Sequence, residues 1–340
     1  MAIKPTLNLL CITLLGALCL QACKPAAPGI YKNNQIPSRT ASKLRALNTE
    51  LLSALKENSI ERLENIMSQD LITDRTRLIT SRHVSNHMKD ADYSLMAEYY
   101  IVKDTTAAGT GKDTPDPHAG TIQERDMGIN NFDLQYTAPT GETYIALFTP
   151  KSAPQKWLIT AVYDKLNYGW KLSQLEFNPY AENGRTPFEL MALAKEQLKK
   201  KYYLDASNTA SFAKYCLDPA TGWKYVNEDK IIQFNALALD TVMAHYKLPL
   251  TVTQLPTQPR IWRIRVERTP EGAFPNINYI SKINLLDTTA LKKENEALGK
   301  VIGKVMNGVD KDKKYIYYTI YNNTPKGVMF IDHYDIKQTL

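Results

Sequence analysis

The sequence predicts an α+β protein of two domains, each with helices packed on a curved antiparallel sheet. Two stretches with 3–4 apolar spacing, beginning near residues 44 and 187, are each followed by a run of strand-like segments. Those segments are rich in aromatic and β-branched residues, with alternating character. The 340-residue chain is also long enough for two ordinary domains.

The first residues are set apart from this body. Lys4 is the one charged side chain before an uncharged, mostly apolar run over residues 9–20. A membrane span needs about 20 residues to cross roughly 30 Å of hydrocarbon, so the run is too short to cross and fits the centre of a signal peptide. It ends in Leu20-Gln21-Ala22-Cys23. This stretch resembles the lipobox of bacterial lipoproteins. The resemblance implies a signal peptide over 1–22, removed before Cys23, and lipidation of Cys23 by diacylglycerol on its thiol and usually acylation of its new amine. It also implies a membrane partner reached through that lipid. Lys24 after the cysteine, rather than aspartate, resembles the lipoproteins sent to the outer membrane in Gram-negative bacteria. Residues 23–40, punctuated by Pro25, Pro28, Gly29 and Pro37, are expected to form a flexible tether.

Residues 44–67 read as helix, with Leu44, Leu47, Leu51 and Leu55 on one stripe. Asn58-Ser59 breaks it, and Ser59 is placed to cap a second helix. Strands are expected over 93–103, 129–138, 143–150, 155–164 and 170–177. Trp170 and Leu172 alternate out of phase with Leu175 and Phe177, which predicts a β-bulge near Ser173-Gln174. A long polar segment over 104–126 reads as a mobile loop. Helices followed by about five antiparallel strands make residues 41–178 an α+β roll. The opening "LLSALKENSIERLENIMSQDLI" and the closing "YGWKLSQLEF" resemble the cystatin-like rolls of the nuclear-transport-factor-like superfamily. That resemblance implies a fold and carries no activity.

Residues 178–187 mark the boundary, with Thr186 capping a helix that starts at Pro187. The second domain, 186–340, opens with that helix, a polar break at Ser207-Asn208-Thr209 and a short helix to Cys216. Residues 229–246 fit either one helix or a strand followed by a helix. "IWRIRVER", "INYISKINL", "KYIYYTIY" and "VMFID" read as strands, with a helix over "TALKKENEALGKVIGKVM" between them. The halves echo one another, either as tandem related rolls or as two unlike α+β domains.

Composition narrows the chemistry. A formal charge of +7, from 42 Lys and Arg against 35 Asp and Glu, is modest and mostly interleaved, so no nucleic-acid partner is expected. Three of the four cysteines, Cys11, Cys19 and Cys23, lie in or beside the export signal. Cys216 is left as a lone thiol, read as a core residue; a nucleophilic role would need a base and exposure. "AAGTGKD" departs from a phosphate loop at Thr106 and Asp113. "HVSNH" sets His83 and His87 one turn apart, but Val84 stands where a zinc protease places its glutamate, and the third-ligand candidates are only Asp90, Asp92 or His118. "DTPDPH" lacks the spacing of a calcium loop. No catalytic residue, metal site or cofactor is predicted.

Twenty tyrosines against eight phenylalanines suggest sheet faces that carry rings with a polar tip. The candidate interaction surface is Trp157, Tyr163, Tyr315 and Tyr317. The function expected is a membrane-anchored envelope module that binds or assembles with another envelope component through an exposed aromatic patch. The alternative is a small-molecule-binding protein, or an isomerase- or hydrolase-type enzyme, using a roll cavity with an inward carboxylate from Asp133, Asp164 or Glu176. A structural spacer would show neither feature.

Overall fold

Leu44, Leu51 and Leu55 are wholly buried along α1 (Ser38–Lys56), the stripe that their spacing predicts. Burying a leucine contributes roughly 2 kcal/mol, so this stripe sets which side of the helix meets the sheet. The computed structural model describes residues 26–89, 91–103, 119–325 and 331–340. The export signal, Cys23, the "AAGTGKD" and "DTPDPH" segments, Asp90 and most of "VMFID" lie outside the described residues. Ser59 caps α2 (Ile60–Ile66) by accepting the Arg62 N–H. The stretch after it forms α3 (Gln69–Thr73) and α4 (Thr76–Met88).

The first sheet has the order β1-β2-β5-β6-β7 and is antiparallel throughout. Its strands are β1 (Gly29–Lys32), β2 (Tyr93–Val102), β5 (Glu142–Pro150), β6 (Lys156–Leu166) and β7 (Gly169–Ala181). Val162 pairs with Gln174 and Tyr163 with Leu172, so Ser173 is the extra residue of the predicted bulge. Further register shifts at Leu95/Ala97 and Lys156/Trp157 add to the curvature. The expected tether is shorter than its composition suggests. Gly29 to Lys32 pair with β2, and α1 starts at Ser38, because β1 supplies partners to the otherwise open edge of β2.

Helices α1–α4 cover one face of this sheet, burying Tyr144, Ile159, Ala161, Tyr163 and Leu172. The other face is also apolar, with Ile145, Leu147 and Leu158 buried, and so it needs its own cover. Part of that cover is a second, three-stranded antiparallel sheet of β3 (Ala119–Glu124), β4 (Phe132–Thr137) and β8 (Trp223–Tyr225). Strand β3 falls within the segment expected to be a loop. The rest of the cover is α5 (Pro187–Lys199) and α6 (Tyr203–Tyr215). One core therefore joins Leu147 and Leu158 to Phe132 and Leu134, and also to Leu190, Phe212 and Trp223. The expected boundary at 178–187 is crossed by this core, and β7 itself runs on to Ala181.

Thr186 and Glu189 form the expected start of α5, with the Thr186 N–H and hydroxyl both donating to Glu189 Oε2 at 2.8 Å. Helix α6 runs unbroken through Ser207-Asn208-Thr209. Small side chains let it approach α5 and α7 (Glu228–His245), where Ala194, Ala210 and Ala238 meet. Residues 228–245 are helical throughout.

The last sheet has the order β13-β12-β11-β10-β9. Its strands are β9 (Leu250–Thr251), β10 (Arg260–Thr269), β11 (Gly272–Ile280), β12 (Tyr315–Tyr321) and β13 (Tyr334–Thr339). Helix α8 (Thr288–Val305) packs Leu291, Leu298 and Ile302 against it. Three pairings are antiparallel, but β11 and β12 run parallel because α8 carries the chain back between them. That pair separates its topology from the first sheet's. Among the described residues no helix is long and apolar enough to cross a membrane.

Candidate functional site

Strand β6 presents Leu158, Thr160 and Val162 to the side away from α1–α4. Thr160 lies directly opposite Glu176 of β7. The three-stranded sheet and α6 cover this face incompletely and leave a cleft of about 650 Å³ over Thr160, Val162, Gln174 and Glu176, with Leu134 and Tyr136 of β4 on the facing wall. That volume lies within the range of small-molecule sites.

The polar groups of the cleft are unevenly satisfied. Glu176 Oε2 accepts the Thr221 N–H at 2.7 Å, and its Oε1 accepts the Gln174 amide. Thr160 is 4% exposed, and its hydroxyl has no hydrogen-bond partner among the described residues. A buried hydroxyl left unpaired costs on the order of 1–3 kcal/mol. Tyr136 is half-buried, and burial raises its hydroxyl pKa above the usual tyrosine value. Its ring lies over Gly120, its cross-strand partner on β3, where an added Cβ would come within 2.4 Å of the Tyr136 hydroxyl oxygen. Among the described residues, no lysine, arginine or histidine lines this cleft. Among the described residues, Glu176 is the one charged side chain on the lining.

Of the three carboxylates considered from sequence, only Glu176 reaches the cleft. Asp133 points outward and pairs with Arg125. Asp164 is buried and accepts the Thr143 hydroxyl at 2.6 Å. From sequence Glu176 stood only as one of three carboxylates on expected strands. Tyr136 and Gly120 were missed because β3 fell in a polar segment and gave β4 no visible partner.

The aromatic residues do not form one exposed patch. Tyr163 is wholly buried under α1–α4, which removes it from any surface; its strand faces inward because Ile159 and Ala161 share its phase. Trp157 is half-buried against Phe177, with ring centroids 5.0 Å apart, and His87 lies 5.2 Å from it. His83 and His87 are perpendicular, 6.3 Å apart, and belong to this aromatic cluster. Tyr315 is mostly buried; its hydroxyl donates to Glu271 Oε2 at 2.9 Å, and Lys337 Nζ sits 3.6 Å above its ring. Tyr317, half-buried, is beside it on the last sheet.

Among the described residues, no group of three or more His, Cys, Asp or Glu could hold a metal ion. Cys216 is wholly buried; burial pushes its thiol up to about 12, and the nearby Glu182 adds to the shift. A second cleft, of about 430 Å³, lies between α5, α6 and the last sheet. Its Lys313 already donates to Asp205 Oδ2 at 2.8 Å and to the carbonyls of Gly308 and Lys311. No family model, no curated protein and no solved structure matches this chain.

Proposed function

We propose that this chain is a lipid-anchored protein of the bacterial cell envelope that holds a small neutral molecule bearing hydroxyl or amide groups. The attachment rests on the lipobox ending at Cys23, and Lys24 favours the outer membrane. The ligand reading rests on the unpaired, buried Thr160 hydroxyl beside Glu176 at the floor of the cleft. A ligand hydrogen bond to Thr160 would offset the cost of leaving that group unpaired in the free protein. Among the described residues of the cleft, Glu176 and Tyr136 are the titratable side chains, and Glu176 already accepts the Thr221 N–H and the Gln174 amide, which favours binding over catalysis.

The test pairs Thr160→Val with thermal shifts. Removing an unpaired buried hydroxyl should stabilise the free protein, by about 1 kcal/mol. The same change should weaken binding by about tenfold, the equivalent of roughly 1.4 kcal/mol. Neutral monosaccharides and amides should raise the melting temperature of the wild type more than that of the variant, and citrate or phosphate should raise neither. Equal responses of the two proteins, or stabilisation by the anions alone, would overturn the assignment.

A protein partner in the envelope is also supported by one observation. Ile232, Leu239 and Met243 share one stripe of α7 and, among the described residues, are 44%, 45% and 64% exposed. Met243→Glu should abolish such an association, read by crosslinking in intact cells, without changing ligand binding in the cleft.

A further inference from the structure

The fold holds the anchor on a short lead. The described chain begins at Ala26, which packs against the first core, and the Tyr31 hydroxyl donates to the Ala27 carbonyl at 2.8 Å. Gly29 then enters the sheet opposite Val102. Only two residues stand between Cys23 and Ala26, so their Cα atoms are at most about 11 Å apart. Part of that length is spent inside the bilayer, whose polar layer is roughly 6 Å thick on each side. What is left is too little to let the body turn freely above the membrane.

Strand register shows which part of the body that lead brings down. Gly29 pairs with Val102, Val102 with Glu142, Thr143 with Asp164, and Lys165 with Trp170. The β1 start and the β6–β7 turn therefore share one end of the first sheet, about three strand spacings of roughly 4.8 Å apart. Tyr168, at the tip of that turn, is 59% exposed, and Ile30 on β1 is 42% exposed. Among the described residues close by, Lys165 pairs with Glu142, while Lys171 donates to the Asn65 carbonyl and keeps its charge. An exposed tyrosine ring near a lysine that keeps its charge suits the boundary between lipid and water.

We propose that this end of the first sheet rests on the phospholipid surface, with the Tyr168 ring among the headgroups. The proposal depends on lipidation of Cys23, as the function above does. It fixes the orientation of the body and sends the β5–β6 turn, at the opposite end of the sheet, away from the membrane.

The test uses the full, lipidated protein in phosphatidylethanolamine–phosphatidylglycerol vesicles. Tyr168→Cys and Ser152→Cys are each labelled with an environment-sensitive dye, Cys216 being buried. The label at 168 should brighten severalfold on reconstitution and be quenched by spin-labelled lipid, while that at 152, on the β5–β6 turn, should do neither. A twenty-residue Gly-Ser insertion before Ala26 spans on average about 25 Å and should abolish the change at 168 while the protein stays vesicle-bound. Flotation of the protein with an unquenched label at 168, or equal quenching at 152, would overturn the orientation and leave the anchor intact. Failure of the protein to float would overturn the anchor and the orientation together.

Discussion

Glu176 accepts the backbone N–H of Thr221 at 2.7 Å, tying β7 to the turn that leads into β8 across the boundary the composition marks. The bond fixes the Thr221-Gly222 turn where it closes one end of the cleft. Gly222 is in the left-handed region at φ +76°, and a Cβ there would meet the Gln135 carbonyl oxygen at 2.5 Å. The turn therefore has little freedom to adjust. Glu176→Gln keeps an acceptor for the Thr221 N–H and should cost only a few tenths of a kcal/mol, whereas Glu176→Ala should cost about 1 kcal/mol. Urea unfolding reads both, and amide exchange at Thr221 should accelerate in the alanine variant alone. Equal stability of the two variants would show that the bond contributes nothing.

Helix α8 carries a different kind of unpaired group. Glu294 is 5% exposed, and neither carboxylate oxygen has a hydrogen-bond partner among the described residues. It sits on the helix face that packs Leu291 and Leu298 against the last sheet. An unpartnered buried carboxylate costs more than an apolar side chain of similar size, so Glu294→Leu should stabilise the protein by on the order of 1–3 kcal/mol. Chemical denaturation measures it; a destabilised leucine variant would mean that the carboxylate has a partner worth more than its burial.

The first half was legible where side chains alternate. The α1 stripe, the Ser59 cap and the Ser173 bulge all follow from local periodicity, because each depends on neighbours within a few residues. What escaped is long-range. Gly29 to Lys32 look like tether until β2 offers an edge, and Ala119 to Glu124 look like loop until β4 pairs with them. The 178–187 boundary is polar and turn-rich, yet α5 and α6 fold back over the first sheet because Ile145, Leu147 and Leu158 need cover. Of the cleft, Glu176 was named only as one of three carboxylates on expected strands. Thr160 gained meaning only once its hydroxyl proved to be both buried and unpaired.

Acid should loosen the clamp between β1 and β3. Glu124 accepts Lys32 Nζ at 2.7 Å, the Tyr99 hydroxyl at 3.0 Å and the Asp126 N–H at 3.2 Å. Burial pushes its carboxyl upward, but the Lys32 ammonium and the two other donors outweigh that and hold it below the ordinary value of 4.5. A carboxyl lowered in the folded state adds stability that is present above its unfolded value and lost as pH falls through the folded one. The wild type should therefore lose more stability than Glu124→Gln when pH is taken from 7 to the acid side of 4.5. Urea midpoints at the two pH values test this; an equal loss in both proteins would exclude Glu124 as a source of acid sensitivity.

Thiol counting addresses the core and the anchor at once. Cys216 closes α6 with no exposed surface, and a thiol raised to about 12 is almost wholly protonated at pH 8. In the native state Cys216 should not react with a soluble disulfide reagent over the time in which a free thiol reacts fully. Unfolding in guanidinium should then release one thiol per chain when the signal peptide has been removed and Cys23 carries a thioether. A mature chain with an unmodified Cys23 would release two, one of them already reactive before unfolding. Rapid modification that intact-mass digestion maps to Cys216 in the folded protein would contradict the buried position, whichever count is found.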